Sequence, residues 1–269
     1  MDIIRPDNTP YAAWQPRQAR VYLKRSVPWV TWGALGLSVL LWLVDQALQA
    51  LLGDPLITRW LMKVPAVYIV HTGQWWRLWT PVLVHANLIH LGLNMYALYL
   101  FGPTLEDLLG HRRFLALYLT GGLWGNALSA IFTPYGSVGA SSALFGLMVG
   151  LLVLVQRHRP LMGLWGQRLY QNLLGLLALN ALVSFLPQVD LWGHLGGALG
   201  GLLFILVGGP RWKLQPYPIE ALSEQEKAAF FLKRIMPLQL HDEHSPARWH
   251  TTVAVMWLVA VLAVYAVGR

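Results

Sequence analysis

A serine and several histidines stand in this sequence among residues that are almost all apolar. Ser141 lies in the run Gly139-Ala140-Ser141-Ser142-Ala143-Leu144-Phe145-Gly146, and His194 in Asp190-Leu191-Trp192-Gly193-His194-Leu195-Gly196-Gly197. A third run carries His85, Asn87, His90 and Asn94. Serine is a weak nucleophile until a histidine within hydrogen-bond reach takes its proton. Acyl transfer also needs donors for the oxyanion that forms on the attacked carbonyl. Ser141 opens an apolar segment, which places it at a helix N-terminus among unpaired backbone N–H groups. His90 and Asn94 are spaced i, i+4, so they share a helix face and could add side-chain donors. Nucleophile, base and donors are the set a hydrolase requires.

Each residue also has a plainer reading. Ser141 could be a helix N-cap, and Ser142 could be the nucleophile in its place. His194 could be a packed histidine. His85, His90 and His194 could hold zinc, but the i, i+5 spacing of the first two suits one helix face poorly and no HExxH signature is present. We therefore expect no metal and no cofactor. Asp190, four residues before His194, could orient the imidazole; the favoured reading is a cap on the helix that carries it.

The segments that must position these groups are long and apolar. Seven run over roughly 28–52, 82–102, 114–133, 140–157, 169–187, 191–209 and 250–268. Each is long enough to cross ~30 Å of hydrocarbon as a helix. A helix satisfies its own backbone hydrogen bonds in lipid, and the alternation of a membrane barrel is absent. The sequence thus predicts an all-α polytopic bundle, divided into a cytoplasmic N-terminal segment (1–27), a six-span core (28–209), a cytoplasmic linker (210–249) and a seventh span (250–269). In the linker, Ser223 and Glu226 have capping-box spacing, which predicts one short helix. Gly193, Gly197 and Gly201, the pair Gly196 and Gly200, and the pair Gly146 and Gly150 have the small-xxx-small spacing that lets membrane helices approach closely.

Composition agrees. The chain is 56% hydrophobic and 12% charged, against about 25% charged in soluble domains. Fourteen Trp suit two membrane interfaces. The net charge of +8 is not read as nucleic-acid binding, because it is distributed by face. Sixteen of the twenty Lys and Arg fall on one side of the predicted spans. That side is cytoplasmic by the positive-inside rule, with the N-terminus inside and the C-terminus outside. Met1 to Arg25 has no apolar core and does not read as a cleaved signal peptide. Cysteine chemistry is excluded, since there is no Cys.

Polar groups inside spans are costly and mark functional sites. Spans two, four and six enter from the outer face, which puts Ser141, His194, His90 and Asn94 in the outer part of the bilayer, Asn94 deepest. Asp45 and Gln49 are assigned no chemistry, and Arg77 and Glu106 are read as loop anchors.

Across about residues 60–205 the chain resembles the rhomboid family of intramembrane serine proteases. The matching parts are Trp76-Arg77, the His85, His90 and Asn94 run, Glu106 with Gly110, Gly139-Ala140-Ser141-Ser142, and Gly193-His194-Leu195-Gly196-Gly197, in the family's order. The resemblance implies a dyad of Ser141 as nucleophile and His194 as base and acid. It implies that His90, Asn94 and the Ser141 N–H hold the oxyanion, with His85 supporting. It implies that Phe145 packs on the catalytic histidine, where many members have Tyr, and Ser142 stands where the family usually has Gly. It further implies transmembrane-protein substrates entering from the lipid bilayer, with span five as the moving element. We expect a multi-pass protein of the bacterial inner membrane. Two other classes compete: a non-catalytic rhomboid-like escort of membrane proteins, and a small transporter, which would show inverted repeats and deeper polar groups. Oligomeric state is left open.

Overall fold

The structure, a computed structural model, describes residues 18–21, 26–232, 235–244 and 246–269. Most of the expected N-terminal segment, including Arg5, Arg17, Lys24 and Arg25, lies outside the described residues, as do Lys233 and Arg234. The chain is mostly helical and divides into two units.

The larger unit holds the long helices. They are α1 (Trp29–Leu52), α4 (Leu88–Leu109), α5 (His111–Phe132), α6 (Ser141–Val183), α7 (Leu191–Leu203) and α9 (Pro246–Gly268). A π-helical turn extends α7 through Phe204–Gly208. Between α1 and α4 lie two short helices, α2 (Leu56–Leu61) and α3 (Ala66–Thr72), and two 3-10 turns. Among the described residues, five helices are long and apolar enough to cross a membrane: Trp29–Leu52, His111–Phe132, Ser141–Val183, Leu191–Gly208 and Ala247–Gly268. Helix α4 is not one of them, since it carries His90, Asn94, Glu106 and Asp107.

Two boundaries differ from the sequence reading. The second expected span, 82–102, begins as a helix only at Leu88. Thr80–Leu83 forms a 3-10 turn instead, and the Asn87 side chain accepts the His90 N–H at 2.9 Å, capping the helix there. Expected spans four and five form one helical run, α6, broken by non-helical backbone at His158 and Gly163 with Pro160 between them. Proline removes a helix donor and crowds the preceding turn, so the break falls where it stands.

Helices α5, α6 and α7 pack through glycine. A Cβ on Gly125 of α5 would lie 2.5 Å from the Gly193 carbonyl oxygen and would overlap the Ser142 side chain. A Cβ on Gly146 of α6 would lie 2.8 Å from the Cα of Gly121. On α7, Gly197 and Gly201 face the Ser142 and Gly146 carbonyls, while Gly196 and Gly200 face Trp124 and Thr120 of α5. Helix α9 docks alongside, with Trp257 Nε1 donating to Thr120 Oγ1 at 2.9 Å.

Helix α1 is peripheral, and most of its large apolar residues are exposed. Its first turn is held from another helix. Glu106, fully buried in the last turn of α4, accepts from Val30 N and Thr31 N at 2.9 Å and from Thr31 Oγ1 at 2.7 Å. His111 Nδ1 completes the set at 2.5 Å. A carboxylate here satisfies orphan N–H groups at the positive end of a helix dipole. Asp45 does the same for α2, accepting from Ile57 N and Thr58 N at 2.8 and 3.2 Å.

The smaller unit was not expected. Strand β1 (Gln18–Val21) pairs in parallel with β3 (Ile235–Asp242), which pairs antiparallel with β2 (Trp212–Pro216). Between the last two lies α8 (Glu224–Leu232), whose first turn carries the capping box: Ser223 N and Oγ donate to Glu226 Oε2 at 2.9 and 2.7 Å. The 210–249 stretch therefore holds two strands around its helix, and it pairs with the N-terminal segment rather than standing as a separate linker. Pairing across some two hundred residues leaves no local periodic signal in strands this short.

Replacing Glu106 with Ala leaves the Val30 and Thr31 donors buried without acceptors. The expected cost is about 2–4 kcal/mol, read as a lower thermal midpoint in detergent, with Glu106→Gln intermediate. A midpoint equal to wild type in both variants would refute the capping role.

Candidate active site

Helices α4 and α7 both pack near the start of α6, where Ser141 lies. It is the first residue of α6, half-buried, after Ala140 at the N-cap. The preceding Gly139 takes φ +123, a conformation open to glycine. Its N–H donates to Pro81 O at 2.9 Å, which ties the start of α6 to the turn ahead of α4. A Cβ on Gly139 would lie 2.6 Å from Cε1 and Nε2 of His90 and 3.7 Å from Nδ2 of Asn94. The His90 ring therefore lies flush against the peptide leading into Ser141, with the Asn94 amide behind it. Asn94 Nδ2 donates one hydrogen to His90 O at 2.9 Å and keeps a second N–H.

His85 sits outside α4 and is buried, its ring edge-on to His90 with centroids 5.3 Å apart. Its Nε2 lies 3.4 Å from Ala140 N, a long contact at the same corner. Phe145 stacks on His194, with centroids 4.3 Å apart and planes 20° from parallel. Ser141 is one helical turn before Phe145, on the same face of α6. Among the described residues the Ser141 hydroxyl and the His194 imidazole are not hydrogen-bonded to each other. Such bonds are often loose until substrate is held. Ser142 differs in placement: it is buried against Gly125 and Gly197.

Asp190 does not touch the His194 side chain in any described hydrogen bond. Oδ1 accepts from Gly193 N at 2.9 Å, capping α7, and Oδ2 accepts from Ser129 Oγ at 2.5 Å. The Nδ1 of His194 instead meets Ser184 Oγ at 2.7 Å. Nothing in the sequence around Ser184 marks it as a partner of His194. Ser129 and the α5 glycines were missed, since nothing local distinguishes them from packing residues.

The loop between α1 and α4 is held by its own polar and aromatic ties. Arg77 is buried, with Nε donating to Gln74 Oε1 at 2.6 Å and Nη1 to Met62 O at 2.7 Å and Arg59 O at 2.9 Å. Trp76 stacks on Trp60 and donates to its carbonyl. Lys63 is fully buried; its Nζ donates to Tyr135 O at 2.6 Å and Ser129 O at 3.4 Å, and its backbone pairs with Ser137.

The Rhomboid domain family model matches residues 72–211, just over half of this 269-residue chain. The chain belongs to the rhomboid family. Among relatives, Putative rhomboid protease YdcA of Bacillus subtilis (strain 168) is 40% identical over 137 residues, covering 50% of this chain and 67% of that protein. Rhomboid protease GluP of the same organism is 35% identical over 134 residues, covering 49% of this chain but only 26% of that protein. Rhomboid-like protease 3 of Toxoplasma gondii is 35% identical over 151 residues, 55% of this chain and 57% of that protein. The similarity thus spans about a quarter to two-thirds of these relatives' lengths. With its apolar helices, this rhomboid is an integral, mostly helical membrane protein.

Burial lowers the Lys63 ammonium to about 8, the nearby Asp190 carboxylate opposing the shift. In the unfolded chain the group titrates near ~10.4. Between these values the unfolded state binds more protons, so at this group stability rises with pH from about 8 upward. Neutral Lys63 still has two N–H groups for its two carbonyls. Comparing thermal midpoints with Lys63→Met between pH 7 and 10 should show the wild type gaining on the variant as pH rises. A constant difference would refute it.

Proposed function

We propose that this rhomboid is an intramembrane serine endopeptidase that cleaves transmembrane segments of other membrane proteins. What supports this reading is the His90 ring lying against Gly139, two residues before Ser141, and the Phe145–His194 stack one helical turn after it. In this reading Ser141 Oγ attacks the scissile carbonyl carbon, and its proton passes to His194 Nε2. The oxyanion is held by the Ser141 N–H with His90 and Asn94, and one such donor is typically worth 10²–10³ in rate. His85 supports His90, Gly139 gives the ring its seat, and Asp190 caps α7. Collapse expels the amine, which takes the proton from His194. Water, deprotonated by His194, then hydrolyses the acyl-serine ester. The groups invoked here require neither metal nor cofactor.

The site lies within two turns of the N-terminal ends of α4, α6 and α7, which supports a position toward one face of the bilayer. We assign that face to the outside of a bacterial inner membrane, with the N-terminus cytoplasmic and the C-terminus outside. Helix α6 has 43 residues, about twice the number needed to span ~30 Å. We therefore count its two arms as spans four and five of a six-plus-one layout. Substrate enters from lipid beside the second arm, and unwinding near the cut is required because a helix hides its peptide bonds.

Ser141→Ala should abolish cleavage of a model transmembrane substrate and labelling by a fluorophosphonate, while Ser142→Ala keeps most of both. Cleavage by Ser141→Ala at the wild-type rate would overturn the mechanism. Native folding of wild type with neither cleavage nor labelling would favour the non-catalytic escort reading.

A further inference from the structure

Ser184 closes the second arm of α6 and is almost wholly buried, as is His194. Two groups meet its single hydroxyl: the Asn180 carbonyl at 2.7 Å and His194 Nδ1 at 2.7 Å. A carbonyl can only accept, and a serine hydroxyl has one hydrogen. Both contacts are satisfied in one way, with Oγ–H donating to Asn180 O and Nδ1–H of His194 donating to Oγ. In a neutral imidazole this leaves the lone pair on Nε2. That is the nitrogen that must face the nucleophile, because Nδ1 is turned to Ser184.

We infer that Ser184 is a positioning residue that fixes the tautomer and ring orientation of His194. It takes the place that an orienting carboxylate has in other serine hydrolases, here with a neutral hydroxyl. Asp190, the nearest acidic residue in sequence, is engaged with Gly193 N and Ser129 Oγ. Phe145 holds the ring's face and Ser184 its edge, so both rotations of the imidazole are restrained. Among the described residues, this is the one side-chain hydrogen bond from the second arm of α6 and its following turn to another helix. The position of that arm therefore governs whether His194 Nδ1 keeps its partner.

The inference rests on the dyad proposed above, and Ser141→Ala serves as its control. With a fluorogenic transmembrane substrate in proteoliposomes, Ser184→Ala should lower kcat about 10-fold or more, with KM within about twofold and the thermal midpoint little changed. Ser184→Thr restores the hydroxyl and should recover most of the rate, whereas the isosteric Ser184→Val should not. The Thr and Val pair separates hydrogen bonding from shape even if the Ala variant folds poorly. Equal kcat in Thr and Val, or wild-type kcat in Ala, overturns the role of Ser184 while leaving the dyad standing. Full activity in Ser141→Ala would instead remove the dyad itself.

Discussion

The site depends on backbone-to-backbone contact among α5, α6 and α7. Ser141 and His194 are fifty-three positions apart and sit on different helices. Side chains the size of serine and histidine can meet only if the helix axes come close. Gly125, Gly193 and Gly197 allow this around Ser142, and Gly121, Gly146 and Gly201 continue the seam one and two turns deeper. Between helices in lipid there is little hydrophobic drive, because the lipid tails are as apolar as leucine. Close van der Waals contact and polar ties across the seam take its place. Any side chain at Gly197 would meet the Ser142 backbone, so the geometry tolerates no larger residue there without moving a helix.

Around that seam, polar groups are used twice: once to hold the frame and once at the proposed active site. Glu106 fastens α1, Arg77 ties the loop between α2 and α4, and Asp190 links α7 to Ser129 of α5. Each meets two or more partners, which offsets the cost of drawing a charge away from water. The groups with spare capacity are elsewhere: Asn94 keeps an N–H, His90 presents its ring at Gly139, and Ser141 is half-open. In the proposed mechanism these are the donors that would meet a reacting carbonyl, held in place by the anchored frame, as electrostatic preorganisation requires.

The sheet unit shows a different limit. Its helix could be anticipated, because a capping box is written within four consecutive residues, Ser223 to Glu226. Its strands could not, because Gln18 meets Ile235 across most of the chain. The same contrast holds at α4. The apolar run from Val82 suggested an earlier start, but Thr80–Leu83 takes a 3-10 turn and the helix begins at Leu88, capped by Asn87.

The sequence by itself determined an apolar, mostly helical membrane chain and the order of its polar runs. These follow from composition and spacing, which act along the chain. Tertiary structure alone decided which partner each polar atom takes. Asp190 and Ser184 were both within ten residues of His194. The carboxylate turned to the cap of α7 and to Ser129, and the hydroxyl at the end of α6 took the imidazole. Hydrogen bonds select by distance and direction in space, and those are set by how closely the glycine-lined helices pack.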